Sequence, residues 1–373
     1  MSKPSLGVLH RMAPAHRAST PEVVATSLVA LHSTDPASVH LAVAARTVGA
    51  GASVADVDRA LHEDRTIVRV MGMRRTMWAV PADLVPVVAA ACGRAIATDE
   101  RRKLVKAVED QAIATDGLRF VADLEEQTLA ALANRGQALT TELASDVAAL
   151  KGTVRYGGNS KWAADVGLSS RIVLLLTCDG RIVRTRPGGK WTSTRHRYSL
   201  APPAEEPMQT ADAQAELARR WLSAFGPLSM EMVGDLKWWA GWTVAATKRA
   251  LAAAGAVPPS DPVDAGPWAA LVPSLDPTTM GWKGRSWYLG ELGPQLFDRN
   301  GNAGPAIWWC ERIVGGWAQR STGEVVTKLL LDIGGDGAST VEAEAARLQD
   351  WLDASGAIVK PRFPTPLHKE LVS

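Results

Sequence analysis

Cysteine is scarce. The three present, Cys92, Cys178 and Cys310, stand far apart and make no C-x-x-C, which excludes a zinc ribbon or a disulfide framework and leaves buried free thiols as the plain reading. Histidine is sparse too: of seven, His32 and His40 are the closest pair that one element could carry, and no third ligand stands near them. Neither a metal nor a cofactor is expected. Long apolar runs are missing as well. Residues 1–17 carry Lys3, Arg11 and Arg17 but no apolar stretch of signal-peptide length, and the run 84–97 is interrupted by Gly93 and Arg94. No membrane contact is expected, and a cytoplasmic location is. Nucleotide and nucleophile motifs are also absent. Gly188-Gly189-Lys190-Trp191 lacks the Ser or Thr and the upstream strand of a phosphate loop, Gly334-Gly335-Asp336-Gly337 lacks the spacing of a dinucleotide loop, and no G-x-S-x-G occurs.

What is present is the balance of a globular protein, 46% apolar and 21% charged residues, in a chain of 373 residues. That length suits about two to four modules of domain size. The net charge of +2 hides an asymmetry. Residues 1–200 hold 26 Lys and Arg against 19 Asp and Glu, a net of +7, whereas 201–373 come to −5. Within the positive half, 151–200 carry ten basic residues, Lys151, Arg155, Lys161 and Arg171 among them, against Asp165 and Asp179 alone, a net of +8. Such an excess is either a solvated face or a surface for a polyanion, and the scarcity of interrupting acids favours the polyanion.

Start, stop and turn signals repeat as an architecture of two or three short helices followed by a β-hairpin. In the first unit Thr20-Pro21 opens a helix to about residue 31, Ser38 opens another, and Ser53 with Asp56 makes the capping box of a third that ends near His62. Residues 66–70 and 76–80 read as strands of a hairpin around Met71-Gly72. The second unit predicts helices over 118–134 and 141–150, a loop over 155–159, a helix over 170–178 capped by Ser169, and strands over 182–183 and 191–198 joined by Pro187-Gly188-Gly189. From Arg181 to Arg197 this hairpin holds six basic residues and no acid, a composition suited to lying along phosphates. The helix before it, with Arg171 near its start, is the natural major-groove reader.

A third unit follows the Pro- and Glu-rich linker 201–207, with helices over 211–225, from Ser229 to about 240 and from Thr243 to 253, the last two joined by the turn Gly241-Trp242. Beyond Pro258, short strands over 270–272, 287–289, 306–310, 312–319 and 325–332 predict a small β-barrel or sheet, closed by a helix over 341–351. Eleven of the fourteen tryptophans lie at or after Trp221; at helical spacing, as in Trp238, Trp239 and Trp242, they read as core more than as platforms for unpaired bases. The expected class is α+β, tandem winged helix-turn-helix domains followed by a small C-terminal β-barrel, divided as 1–115, 116–203, 208–258 and 259–373.

Five groups of residues follow one another in a set order. They are Leu31-His32-Ser33-Thr34-Asp35-Pro36; Arg65-Thr66 with Met73-Arg74-Arg75-Thr76; Gly180-Arg181-Ile182-Val183-Arg184 with Trp191-Thr192-Ser193; Leu275-Asp276-Pro277 with Asn300-Gly301-Asn302; and Gly315-Gly316-Trp317. In that order and spacing the chain resembles, over about residues 5–355, the AlkZ-like superfamily of winged-helix DNA glycosylases and their bacterial relatives. The resemblance implies three tandem winged helices and a C-terminal β-barrel in a C-shape around duplex DNA, and excision of alkylated or bulky-adducted purines. The family's catalytic Gln-x-Gln or Gln-x-Asp tripeptide falls on His32-Ser33-Thr34, a departure at both outer positions.

An N7-alkylated purine is already cationic and leaves with little help. The chemistry therefore asks for a water held near C1′ and for stabilisation of positive charge developing on the sugar. Side chains two residues apart in an extended loop point the same way, so His32 and Thr34 are the pair to hold that water, and histidine can also act as a base near neutral pH. Asp35 can supply negative charge and equally caps the helix beginning near Ala37; His32 can equally be a packing residue. The DNA-contact candidates are Arg74, Arg75, Arg171, Arg181, Arg184, Arg186, Lys190, Trp191, Ser193, Arg195 and Arg197. The expectation is a monomeric, nucleoid-associated, monofunctional glycosylase of double-stranded DNA, serving repair or self-resistance to a genotoxin. The alternatives are a duplex-binding regulator or damage sensor without chemistry, and a structural protein whose wings contact protein.

Overall fold

The computed structural model describes residues 5–48, 53–157, 163–202, 208–256 and 263–373. Lys3, Lys161, the loop positions 158–159 and most of the 201–207 linker lie outside the described residues. Helices and strands mix along the chain, as an α+β class requires. In the first unit Thr20 caps Pro21–Ser27 by accepting from the Val23 N–H, and Asp35, in place of Ser38, caps Pro36–Ala44. The Ser53/Asp56 capping box opens Val54–Asp58, which continues as a π turn to Glu63. Ile67–Gly72 and Thr76–Pro81 pair antiparallel, and the free edge of Thr76–Pro81 takes a third strand, Leu31–His32, with His32 opposite Trp78. His32 therefore stands in a sheet and not in an extended loop.

The helical stretch from Val85 to Asp110, with a π turn at Ala89–Gly93, carries no clear start or stop signal in the sequence. Gly93 looks like a breaker in sequence but is a close approach in the fold: a Cβ there would lie 2.6 Å from the carbonyl oxygen of Cys178, so glycine lets this stretch touch the end of Leu168–Cys178. Leu104 and Val108 of Arg94–Asp110 already belong to the core of the second unit, which gathers residues from there to Tyr198. That unit contains Gly117–Arg135, Thr140–Asp146 and Leu168–Cys178, and a short hairpin, Thr153–Tyr156 with Ala164–Gly167, where a loop was expected. The strand expected over 191–198 is also corrected. Ile182–Arg184 pairs with Arg197–Leu200, and 185–196 form no regular strand, keeping only the cross-strand bonds from the Thr185 and Gly188 N–H groups to the Arg197 and Arg195 oxygens. Trp191 is the cause: it is buried against the rings of His40 and Trp351, at 4.8 and 5.6 Å, which draws the connection onto the first unit and the C-terminal helix.

The third unit carries Thr210–Ala224, Met232–Ala240 and Val244–Ala254. After it, the segment read as a strand over 287–289 is the short helix Ser286–Leu289, whose Trp287 and Tyr288 pack edge-on and tilted against Trp282. Among the described residues there is no closed barrel. Ala269–Val272, Ala306–Trp309, Arg312–Gln319 and Val325–Leu329 form an open antiparallel sheet, covered by the 22-residue helix Gly334–Ser355 in place of barrel closure. Gly315 is required by this sheet, since a Cβ there would sit 2.1 Å from the Lys328 oxygen. The largest core runs from Leu6 to Leu371 and joins first unit, third unit and sheet around Trp221, Trp239, Trp268, Trp282 and Trp308.

Candidate functional site

His32 is 4% exposed and lies against Trp78, ring centroids 4.6 Å apart. Burial, with the Arg74 guanidinium adding to it, pushes its pKa down to about 3, so the ring is neutral at ordinary pH. The Thr34 N–H donates to His32 Nδ1 at 3.4 Å, which assigns the ring proton to Nε2. The Thr34 hydroxyl is buried with no partner among the described residues. Between them Ser33 accepts from Arg69 Nε at 3.0 Å, and Arg69 is itself buried. Both Asp35 oxygens are engaged by backbone, one by Ala37 N–H at 3.1 Å and the other by Arg362 N–H at 2.9 Å. Burial raises its pKa against those hydrogen bonds. Asp35 thus acts as a helix cap that also anchors the C-terminal segment.

The expected DNA contacts do not gather on one surface. Arg74 and Arg75, both in the left-handed region at φ 54° and 58°, form the tip of the first hairpin. Arg74 lies over the Trp238 ring at 4.0 Å, beside Arg285 at 4.9 Å, and burial followed by Arg285 lowers its pKa to about 10. Arg75 pairs with Glu100 at 2.8 Å. Arg171 stacks on Tyr156 and reaches the same Glu100 at 3.4 Å, while the helix that carries it buries Leu168, Ile172, Val173 and everything from Leu175 to Cys178, and leaves Ser170 exposed with Ser169, Arg171 and Leu174 half-buried. Arg181 bonds Glu126, Arg186 bonds Glu63 and Arg197 bonds Glu142, each at 2.9 Å. Lys190 donates to the Gly356 oxygen, Ser193 to the Gly188 oxygen, and Trp191 is core. The segment is acid-free in sequence but not in space, because carboxylates arrive from other elements.

The third unit shows what the charge count hid. Val244–Ala254 buries Ala246, Thr247 and Ala250 and exposes Lys248 and Arg249 with no acid on the helix. A groove of about 700 Å³ beside it is lined by Arg74, Lys237, Lys248 and Lys283 against the single acid Glu231. Among the described residues no side-chain cation of Lys237, Lys248, Arg249 or Lys283 reaches a carboxylate, although the Lys283 backbone N–H donates to Asp235. A cationic helix straight after a helix-turn-helix turn was the available signal, masked by the negative total of the C-terminal half. Among the described residues no helix is long and apolar enough to cross a membrane, and no group of three His, Cys, Asp or Glu could hold a metal.

The family model described as DNA glycosylase AlkZ-like matches residues 25–351. Among solved structures, the Streptomyces sahachiroi DNA glycosylase AlkZ shares the fold, with a TM-score of 0.60 and 16% identity over 96% of this chain and 99% of that chain. No curated protein sequence matches the chain.

Proposed function

This chain belongs to the AlkZ-like DNA glycosylase family, and from that premise we propose that it is a monofunctional glycosylase hydrolysing the N-glycosidic bond of alkylated or bulky-adducted purines in duplex DNA, at His32 and Thr34. The observation carrying this reading is the pairing of a neutral, buried imidazole with an unpartnered threonine hydroxyl at the family's motif position. With Nδ1 facing the Thr34 N–H, Nε2 is a donor. It orients a water oxygen toward C1′ while the Thr34 hydroxyl accepts one of the water's protons. The cationic base departs as a neutral purine without protonation, and the attacking water's proton passes to bulk solvent as the new C–O bond forms, so positioning contributes more than base strength. The departure from glutamine is then conservative in function, an N–H donor replaced by an N–H donor. The architecture we read is a winged helix over 1–115 and another over 116–203, each with helices preceding a hairpin, and a third helix-turn-helix unit over 208–258. The role fitting the chemistry is base excision repair, including self-resistance to a DNA-alkylating genotoxin.

A second reading, duplex binding without chemistry, is favoured by the replacement of both outer motif residues. Incubation with duplex containing N7-methylguanine, followed by alkaline cleavage at abasic sites, separates the two. Strand breaks at guanine are expected; tight binding with no base released from any alkylated duplex establishes the second reading.

A further inference from the structure

Ser33 and Asp35 lead to a second cavity, of about 290 Å³, lined by Arg184, Arg195 and His196 of the second unit, Thr140, and Arg362 of the C-terminal segment. It is tied to the motif through two bonds already described: Arg362 N–H on Asp35, and Arg69 on Ser33. Arg69 is close enough to Arg184 and His196 that their charges oppose one another. Among the described residues no carboxylate lines the cavity, and Arg184 Nε and His196 Nδ1 are buried with no partner. The neighbouring Arg181, Arg186 and Arg197 each reach a carboxylate, whereas Arg184 and Arg195 reach none among the described residues and converge here with the uncharged His196 ring.

Like charges crowded together with a buried guanidinium N–H left open are costly unless an anion completes the site. We propose that this cavity binds one backbone phosphate of the DNA strand whose nucleotide is presented to His32 and Thr34; the identity of the strand rests on the glycosylase reading. A phosphodiester supplies the oxygens that guanidinium groups take in bidentate fashion. It also cancels the repulsion that, after burial, holds His196 down at about 3. Holding a flanking phosphate beside the motif fixes the sugar in register with the water.

The test is fluorescence anisotropy with the full chain on a duplex carrying a tetrahydrofuran abasic analogue, in which one phosphate at a time beside the analogue is replaced by an uncharged methylphosphonate. The wild type should lose affinity by on the order of tenfold at one linkage, the range of a charge-assisted hydrogen bond. Arg184→Gln/Arg362→Gln should lose about as much on unmodified duplex, show a salt slope shallower by about one, and be indifferent to the methylphosphonate at that linkage. Arg195→Gln, a change at an exposed side chain, should show the same indifference in part, which guards against misfolding of the double variant. Equal sensitivity of variants and wild type at every linkage overturns the proposal. Inorganic phosphate that saturates His196, followed by ring NMR, without competing with duplex also overturns it and assigns the cavity to a free phosphate. None of these readings needs base release, so a duplex-binding protein without chemistry still shows the coupling, and failure of the two proposals is distinguishable.

Discussion

Arg46 and Asp276 meet in a bidentate ion pair, at 2.7 and 2.8 Å, from which solvent is excluded on both sides. The guanidinium also donates to the His10 and Ala42 oxygens and to Thr278 Oγ1, so its five donors are all used. The pair fixes the helix capped by Asp35 to the Leu275-Asp276-Pro277 turn, and with it the frame that holds His32.

Asp276→Asn leaves Arg46 buried with its charge unmatched. Unfolding free energy should fall by about 3–5 kcal/mol, the cost of breaking a buried pair by removing one partner. Urea denaturation reads this as a lower midpoint at constant slope. A midpoint equal to that of the wild type would show that the pair is dispensable.

His32→Ala should reduce single-turnover excision by roughly a hundredfold or more, the range for losing a positioned acid-base group, with duplex affinity preserved. Thr34→Ala should cost less, since a hydroxyl contributes one hydrogen bond. His32→Gln places an amide N–H near the position of Nε2 and should recover much of the loss. Glutamine no better than alanine would mean that the ring removes a proton.

The pKa values of His10, His32 and His196 lie at about 3 in the fold against an ordinary 6.5, burial being the largest cause in each. The folded chain therefore binds fewer protons than the unfolded chain between those values. Stability is complete above about pH 6.5 and falls as pH falls toward 3. The melting temperature should drop by several degrees from about pH 7 to about pH 5, while excision per folded molecule stays level, because His32 remains neutral throughout. A rate falling through an apparent pKa near 6 in still-folded protein would contradict this assignment.

Lys237→Ala/Lys248→Ala/Lys283→Ala should weaken duplex binding uniformly across sequences and flatten the salt slope by about three, one for each phosphate no longer neutralised. Arg186→Ala, already matched by Glu63, should change neither. Anisotropy across a salt series decides it; the opposite ranking would show that Arg186, and not the third-unit groove, neutralises phosphates.

The position of the candidate tripeptide and the Asp35 cap were legible. Ordered motifs placed the tripeptide on His32-Ser33-Thr34, and Asp-Pro identified a cap, because caps and turns depend on a few adjacent residues. The pairing of Arg181, Arg186 and Arg197 was not legible, since Glu126, Glu63 and Glu142 lie far along the chain and charge counting sees neighbours only in sequence. Nor was the role of Gly93, whose meaning is set by an oxygen from another helix.

The sequence by itself determined the α+β class, most helix starts and the family, all of which follow from local propensity and motif order. Tertiary structure alone decided that the C-terminal sheet stays open under a long helix, that Trp191 pulls a basic connection inward, and that His32 is neutral. It also decided which cations remain unpaired, in the third unit and around Arg184. Each depends on what burial and long-range packing place beside a residue, and desolvation and Coulomb energy act through space, whatever the order along the chain.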